Sequence, residues 1–391
     1  MYFDTTSSNT GRSKGACVLL EQRLGKDLLY LACRHHVMEL IIGAVFQACM
    51  GSSSAPEVLL FKTFKACWEF IDREKFETRV ANVNIAPLIC DVKAGIIAFA
   101  NEQLKEKQPR DDYREFLELV LIFLGEIPHR HYGVRFMTPG AMHHARWMSK
   151  VIYSLKVWMF RAQFVLTTRE EKGLREVCIF AVRVYLKAWM TAPLASNAPY
   201  NDLQLLQSLI NYSTIHPVIA KVASEKLANH LWYLSQDLIG LALFDSRVSV
   251  ATKRLMVKAM RDVEEAEDPL KRAVISLETF KDKKLEDFVT KKSLVFFEKM
   301  QLPSNFLQLD PEMWTAQDDF ATSSEIVQTM NVVNDHAERG VALVQEFSGL
   351  LTQDEDQLQF LLQVVEEHRR AFPDSRKQTL TGQGSSSQTS H

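Results

Sequence analysis

Carboxylates, thiols and imidazoles gather at four places in this sequence. Asp4 follows Tyr2-Phe3 and precedes the polar run Thr5-Thr6-Ser7-Ser8-Asn9-Thr10-Gly11. A carboxylate closing a short apolar strand, above a loop that glycine permits, is where open-sheet enzymes place metal ligands. In a Ser/Thr-rich turn the same aspartate also serves as a turn or cap residue. Cys33-Arg34-His35-His36 puts a thiol and two imidazoles where an apolar run gives way to a helical pattern. Zinc would need two further ligands at short spacing, and Cys17 and Cys49 offer no second half of that kind. The alternative is a core cysteine with a histidine at a helix N-terminus orienting its neighbours. His144-Ala145-Arg146-Trp147 sets an indole beside a guanidinium. Trp147 also falls on the apolar stripe of Val151, Ser154 and Trp158, which suits core packing. Last, Asn334-Asp335-His336-Ala337-Glu338-Arg339-Gly340 places Asp335 and Glu338 one helical turn apart on one face.

The elements that must hold these groups follow from periodicity. Residues 1–50 read as strand, loop, helix, strand, helix, with strands at Tyr2 to Asp4 and Leu28 to Ala32 and helices over Ala16 to Leu24 and about His35 to Met50. The run from Gly51 to Pro56 then breaks the pattern as a loop. Onward to about residue 310 the apolar residues recur at three and four, predicting helices over Tyr113 to Gly125, Ala141 to Leu166, Arg169 to Met190, Asp202 to Tyr212, Pro217 to Phe244 and Val250 to Ala266. Lys281 to Lys284 and Lys291-Lys292 read as a solvated helix face. Two helices close the ordered chain, Ser324 to Leu351 and Gln353 to Ala371, joined at Thr352 ahead of Asp354 and Glu355. The polar tail beyond Pro373 is expected to be disordered. The boundaries expected are thus 1–50, 51–310, 311–372 and 373–391.

Composition sets the class. With 391 residues, 47% hydrophobic and 24% charged, the chain is globular and long enough for two or more ordinary cores. A net charge of -2 exerts no global pull on nucleic acid, so DNA contact must come from local patches such as His129, His131, His143 and His144 beside Arg130, Arg135 and Arg146. Six cysteines scattered singly, without CxxC spacing, point to a reducing compartment. No uninterrupted apolar stretch has membrane-spanning length, and the polar N-terminus lacks a signal-peptide core. The expectation is a soluble intracellular protein, nuclear or cytoplasmic, with no membrane partner.

Taken in order, Asp4, Asn9, a helix, a strand and Cys33-x-x-His36 resemble the second-aspartate and Cys-x-x-His signature of hAT-superfamily DNA transposases. The fuller pattern, Phe3-Asp4 to Gly11, Gly15-Ala16-Cys17 and Leu31-Ala32-Cys33-Arg34-His35-His36, is similar to transposase-like proteins found in many copies in invertebrate genomes. The resemblance implies a mainly α protein in which an RNase H-like α/β core is interrupted by a large all-helical insertion, here residues 51–310. The family's last catalytic glutamate follows that insertion. Ala337-Glu338-Arg339 is similar to its Ser-Glu-Arg, which makes Glu338 the third carboxylate, with Asp335 as a rival ligand. His144-Ala145-Arg146-Trp147-Met148-Ser149 is similar to the family's Thr-Arg-Trp segment, whose tryptophan is implicated in stacking on a base displaced from the duplex. The resemblance then implies Asp4 and Glu338 as the metal ligands, His36 as a supporting group, and Arg146, Trp147 and Arg339 as the DNA contacts. In such enzymes two Mg2+ ions, roughly 3.5–4 Å apart, clamp the attacking and leaving oxygens of an in-line phosphoryl displacement.

The family's first aspartate precedes Asp4 on an earlier central strand, and this sequence has three residues before Asp4. The expectation is therefore a partial core with its N-terminal strands missing, exposed strand edges, and a DNA strand-cleaving site that is catalytically incomplete. DNA and further copies of the chain are the implied partners, with no small-molecule substrate. The alternative is a non-catalytic helical binding or scaffold protein domesticated from a transposon.

Overall fold

Helical periodicity dictates most of the architecture. The computed structural model of the chain, which describes residues 2–3, 5, 7–10, 15–51, 58–78, 85–128, 136–139, 148–261 and 277–333, is mainly helical. The chain opens with β1 (Tyr2–Phe3), a single turn α1 (Ser7–Thr10), α2 (Ala16–Leu24) and β2 (Leu31–Ala32). Gly25 ends α2 in the left-handed region at φ 58°, its N–H returning to Glu21 O. With α2 in the crossover, β1 and β2 pair in parallel, Tyr2 opposite Leu31 and Phe3 opposite Ala32.

The second strand is shorter than its apolar run suggests because a side chain captures its first donor. Glu21 accepts from the backbone of Leu28 at 2.8 Å and from the Tyr30 hydroxyl, so Leu28 does not enter the ladder. The pair is held from one side by Phe3, Cys17 and Ala32, with Tyr30 and Trp232 standing edge-on to Phe3 at 5.8 and 6.1 Å. The Tyr233 hydroxyl donates to Ala32 O at 2.5 Å. Among the described residues these two strands have no third neighbour.

Helix α3 (Arg34–Met50) is the centre. It buries Val37, Met38, Ile41, Ile42, Val45 and Phe46, a stripe at helical spacing. Around and beyond it follow α4 (Leu59–Cys67), α5 (Ala86–Ile89), α6 (Lys93–Lys105), α7 (Asp111–Phe123), α8 (Met148–Met159), α9 (Thr168–Phe180), a π turn (Ala181–Tyr185) continuing into α10 (Leu186–Met190), α11 (Ala198–Ser213), α12 (Pro217–Ala228), α13 (Val250–Arg261), α14 (Val295–Met300) and α15 (Asp318–Thr329). One continuous apolar core runs through these elements from Leu29 to Val332. No helix among the described residues is long and apolar enough to cross a membrane.

Three expected helices are cut short, each for a local reason. The span Pro217 to Phe244 breaks after Ala228 into 3-10 turns at Trp232–Leu234 and Ile239–Phe244. The second turn is buried at every position, so its apolarity carried no period that could separate a helix from a tight turn. The span Ala141 to Leu166 closes at Met159, where Arg161 donates to Trp158 O at 2.8 Å and the Gln163 amide bonds Asp72 O and Lys75 O at 2.8 and 2.5 Å. The helix expected from Ser324 to Leu351 stops at Thr329, because residues 330–332 run back against the 193–195 loop: Ala195 N–H donates to Met330 O at 3.0 Å and Val332 N–H to Pro193 O at 2.7 Å. The lysines at 281–284 and 291–292 flank and start short 3-10 turns rather than forming a helix face. The Thr352 junction, the second terminal helix and the tail lie outside the described residues.

Gly173 lets α9 cross the end of α3 at close range. A methyl group there would stand 2.7 Å from Cys49 O and 2.5 Å from Met50 Sδ. Gly173→Ala is predicted to lower stability in urea by about 2 kcal/mol, overriding the ~1 kcal/mol that alanine adds to helix propensity. A midpoint equal to or above wild type would show that the crossing opens freely.

Candidate functional site

The Cys33 to His36 run is built into the start of α3. Cys33 is buried, and its N–H donates to Phe3 O at 2.8 Å, joining α3 to β1. Arg34 is 1% exposed. Its N–H donates to Val332 O at 2.9 Å, its Nε and Nη2 to Asp202 Oδ1 at 3.1 and 2.5 Å, and its Nη1 to Ala192 O at 3.4 Å. Burial pushes the Asp202 carboxyl up from its ordinary range, while the Arg34 charge and hydrogen bonds pull the other way.

His35 is equally enclosed. Its ring stacks on Trp189 with centroids 3.9 Å apart and planes 7° from parallel, and Tyr113 stands edge-on at 5.7 Å. Nε2 lies 3.2 Å from Trp189 O, which can only accept, so Nε2 carries the proton and Nδ1 accepts from the Tyr113 hydroxyl at 3.3 Å. Burial drives this imidazole's pKa down to about 3, so it is neutral at physiological pH. His36, half-buried on the other side of the turn, has Nδ1 3.4 Å from Glu39 Oε2.

The neighbouring residue on α11 extends the node. Asn201 donates to Thr191 O at 2.7 Å and accepts from Arg247 at 3.0 Å. Arg247 grips Asp245 with bonds of 3.0 and 2.6 Å and lies 4.6 Å over the Tyr200 ring. Side chains from distant parts of the chain therefore converge on the first turns of α3 and α11, and what they supply is alignment of those helices. The core reading of Cys33 and His35 is the one their surroundings support. All six cysteines are free, and no group of three or more His, Cys, Asp or Glu among the described residues could hold a metal ion.

Of the residues assigned to chemistry, His36 is the one described. Asp4, Arg146, Trp147, Asp335, Glu338 and Arg339 lie outside the described residues, as do the histidines and arginines of the expected basic patch. Val151, Ser154 and Trp158, the stripe shared by Trp147, are fully buried. Among the described residues the carboxylate that faces His36 is that of Glu39, and the expected Mg2+ ligands Asp4 and Glu338 are not among them.

A second feature was announced by no motif. A cavity of about 360 Å³ is lined by Leu88, Arg175, Glu176, Ile179, Tyr212, Ile215 and His216. Arg175, Glu176 and Ile179 share a face of α9 at three- and four-residue spacing. His216 caps α12: its Nδ1 accepts from Ile219 N–H at 3.3 Å, which leaves Nε2 to donate toward Glu176 Oε1 at 3.4 Å. Burial holds the Tyr212 phenol above its ordinary range. Arg183, aimed by the π turn, donates to Leu88 O and grips Asp91 at 2.6 and 2.7 Å, fixing the opposite wall.

Comparison of the chain with models of known protein families, with curated proteins and with solved structures finds no match.

Removing the Arg34 guanidinium while keeping its bulk, as in Arg34→Met, strands a buried carboxylate at Asp202. A loss of about 3–5 kcal/mol is predicted from urea unfolding, and a loss below about 1 kcal/mol would show the pair to be dispensable. His35 predicts an acid limb. The unfolded chain protonates this ring near pH 6.5 but the folded chain only near 3, so between those values stability falls by about 1.4 kcal/mol for each pH unit lowered. His35→Phe is predicted to flatten that part of the stability–pH curve; an unchanged slope would assign it to other groups.

Proposed function

We propose that this chain is a transposase-derived protein that works as a helical binding scaffold rather than as a DNA-cleaving enzyme. One observation carries the reading: Cys33, Arg34 and His35 of the Cys-x-x-His run are committed to the interior, with His36 half-buried beside Glu39. Arg34 is occupied by Asp202, and both ring nitrogens of His35 by Trp189 and Tyr113. Side chains bonded within the interior align helices and present nothing to a phosphodiester.

The derivation from a transposon draws support from the order of elements. A parallel strand pair with a crossover helix leads into the Cys-x-x-His run and then into a long helical body, the order that the hAT resemblance implies. On this reading the partial RNase H-like core, the ligands Asp4 and Glu338, the supporting His36 and the DNA contacts Arg146, Trp147 and Arg339 are an inheritance. Mg2+, DNA and further copies of the chain would be the partners of the ancestral reaction.

Labelled duplex DNA incubated with the full chain and Mg2+ tests it. The expected result is no strand cleavage above that of the Asp4→Ala and Glu338→Ala variants. Metal-dependent cleavage that both substitutions abolish would overturn the scaffold reading in favour of an enzyme.

A further inference from the structure

We propose that the cavity between α9, α11 and the start of α12 binds a small zwitterion, an α-amino acid with an aliphatic side chain, its carboxylate on Arg175 and its ammonium on Glu176 Oε2. This goes beyond the scaffold reading and does not rest on it. At about 360 Å³ the space falls at the small end of ligand pockets, which run from roughly 300 to 1,000 Å³. Leu88, Ile179 and Ile215 give it an apolar wall, and Arg175, Glu176, Tyr212 and His216 supply its polar groups.

The charge of the ligand follows from which polar groups the protein leaves open. His216 has both nitrogens engaged, one by Ile219 N–H and one by Glu176 Oε1 at 3.4 Å. Lys172 Nζ stands 4.0 Å from that same oxygen, so Oε2 of Glu176 is open among the described residues. Arg175, its neighbour on α9, is half-buried in the lining and forms no ion pair or hydrogen bond among the described residues. It does not close on Glu176, and a guanidinium and a carboxylate oxygen therefore border one space uncommitted. A purely anionic guest would meet Glu176 there and a purely cationic one would meet Arg175, so like charges select against both. A molecule carrying both signs is answered on both sides. The guanidinium fork matches its carboxylate, and Glu176 Oε2 accepts from its ammonium. Because the two partners are consecutive residues, the ligand's charges must lie close together, as they do about the α-carbon of an amino acid. The aliphatic wall then faces a hydrocarbon side chain, and the Tyr212 hydroxyl, with no hydrogen-bond partner among the described residues, is a further donor.

The cavity is also preformed. Arg183 pins the Leu88 wall from the π turn, a distortion that recurs at functional sites, and His216 pins the first turn of α12. Little ordering is then left for a ligand to impose.

Calorimetric titration of the full chain with L-leucine, isocaproate, isoamylamine and glycine tests the proposal, the last three lacking in turn the ammonium, the carboxylate and the hydrocarbon body. Leucine is expected to bind saturably in the millimolar range or tighter, and each of the others about tenfold more weakly or worse. Arg175→Gln and Glu176→Gln should each weaken leucine by about tenfold. Glu176→Gln should also strengthen isocaproate relative to the wild type, because it removes the like charge and keeps Arg175, whereas a merely structural loss would weaken both ligands. If Glu176→Gln unsettles the His216 cap, Arg175→Gln, which breaks no bond among the described residues, is the reading variant. Absence of saturable leucine binding, leucine binding that Arg175→Gln does not weaken, or equal binding of isocaproate or isoamylamine would each overturn the proposal.

Discussion

A guanidinium buried at the first residue of a helix governs the rest of the structure. Arg34 begins α3, the end of a helix where the backbone dipole disfavours a cation. With 1% of its surface exposed it has no solvent to answer its charge, so the fold must bring it an anion. Asp202 does so from one turn inside α11, near the end of that helix where a carboxylate is favoured. The same arginine holds Ala192 O with its side chain and Val332 O with its N–H. Segments that begin, bisect and close the described chain thus meet at one residue. Because α3 packs against α8, α9, α10 and α12, placing its first turn places the core.

The layer beside that pair shows which force wins when packing and hydrogen bonding compete. His35, Trp189, Tyr113 and Tyr185 form one aromatic stack, with Tyr185 and Trp189 at 5.7 Å. The imidazole is satisfied at both nitrogens, yet the Trp189 indole N–H and the Tyr185 hydroxyl are buried without a partner among the described residues. Ring contact holds both side chains by their faces and leaves their polar edges where packing puts them. Aromatic area outweighs the last two hydrogen bonds here.

How much could be read in advance depended on whether the deciding contact was local. The limits of α2 and the start of α9 follow from neighbours in sequence: Gly15 and Gly25 bracket one, and Thr167 and Glu170 cap the other reciprocally. Helix α3 was legible to within a residue for the same reason. The trimming of β2 by Glu21 was not, nor was the burial of Lys156, which reads as a polar position on α8 but is fully enclosed with Glu115 Oε1 2.5 Å from its ammonium. At the candidate sites the residue types of Cys33 to His36 were visible, whereas their roles were set by Tyr113, Trp189 and Asp202, far along the chain. Arg175, Glu176, Tyr212 and His216 follow no motif, since a cavity between three helices leaves no spacing to find.

The two polar sites differ in the one respect that matters for function. Arg34 and His35 are themselves bonded within the interior and closed to solvent, so altering either residue affects packing whether or not the chain ever meets DNA. Around Arg175 the side chains face a cavity, and Glu176 meets His216 and Lys172 at one oxygen, Oε1.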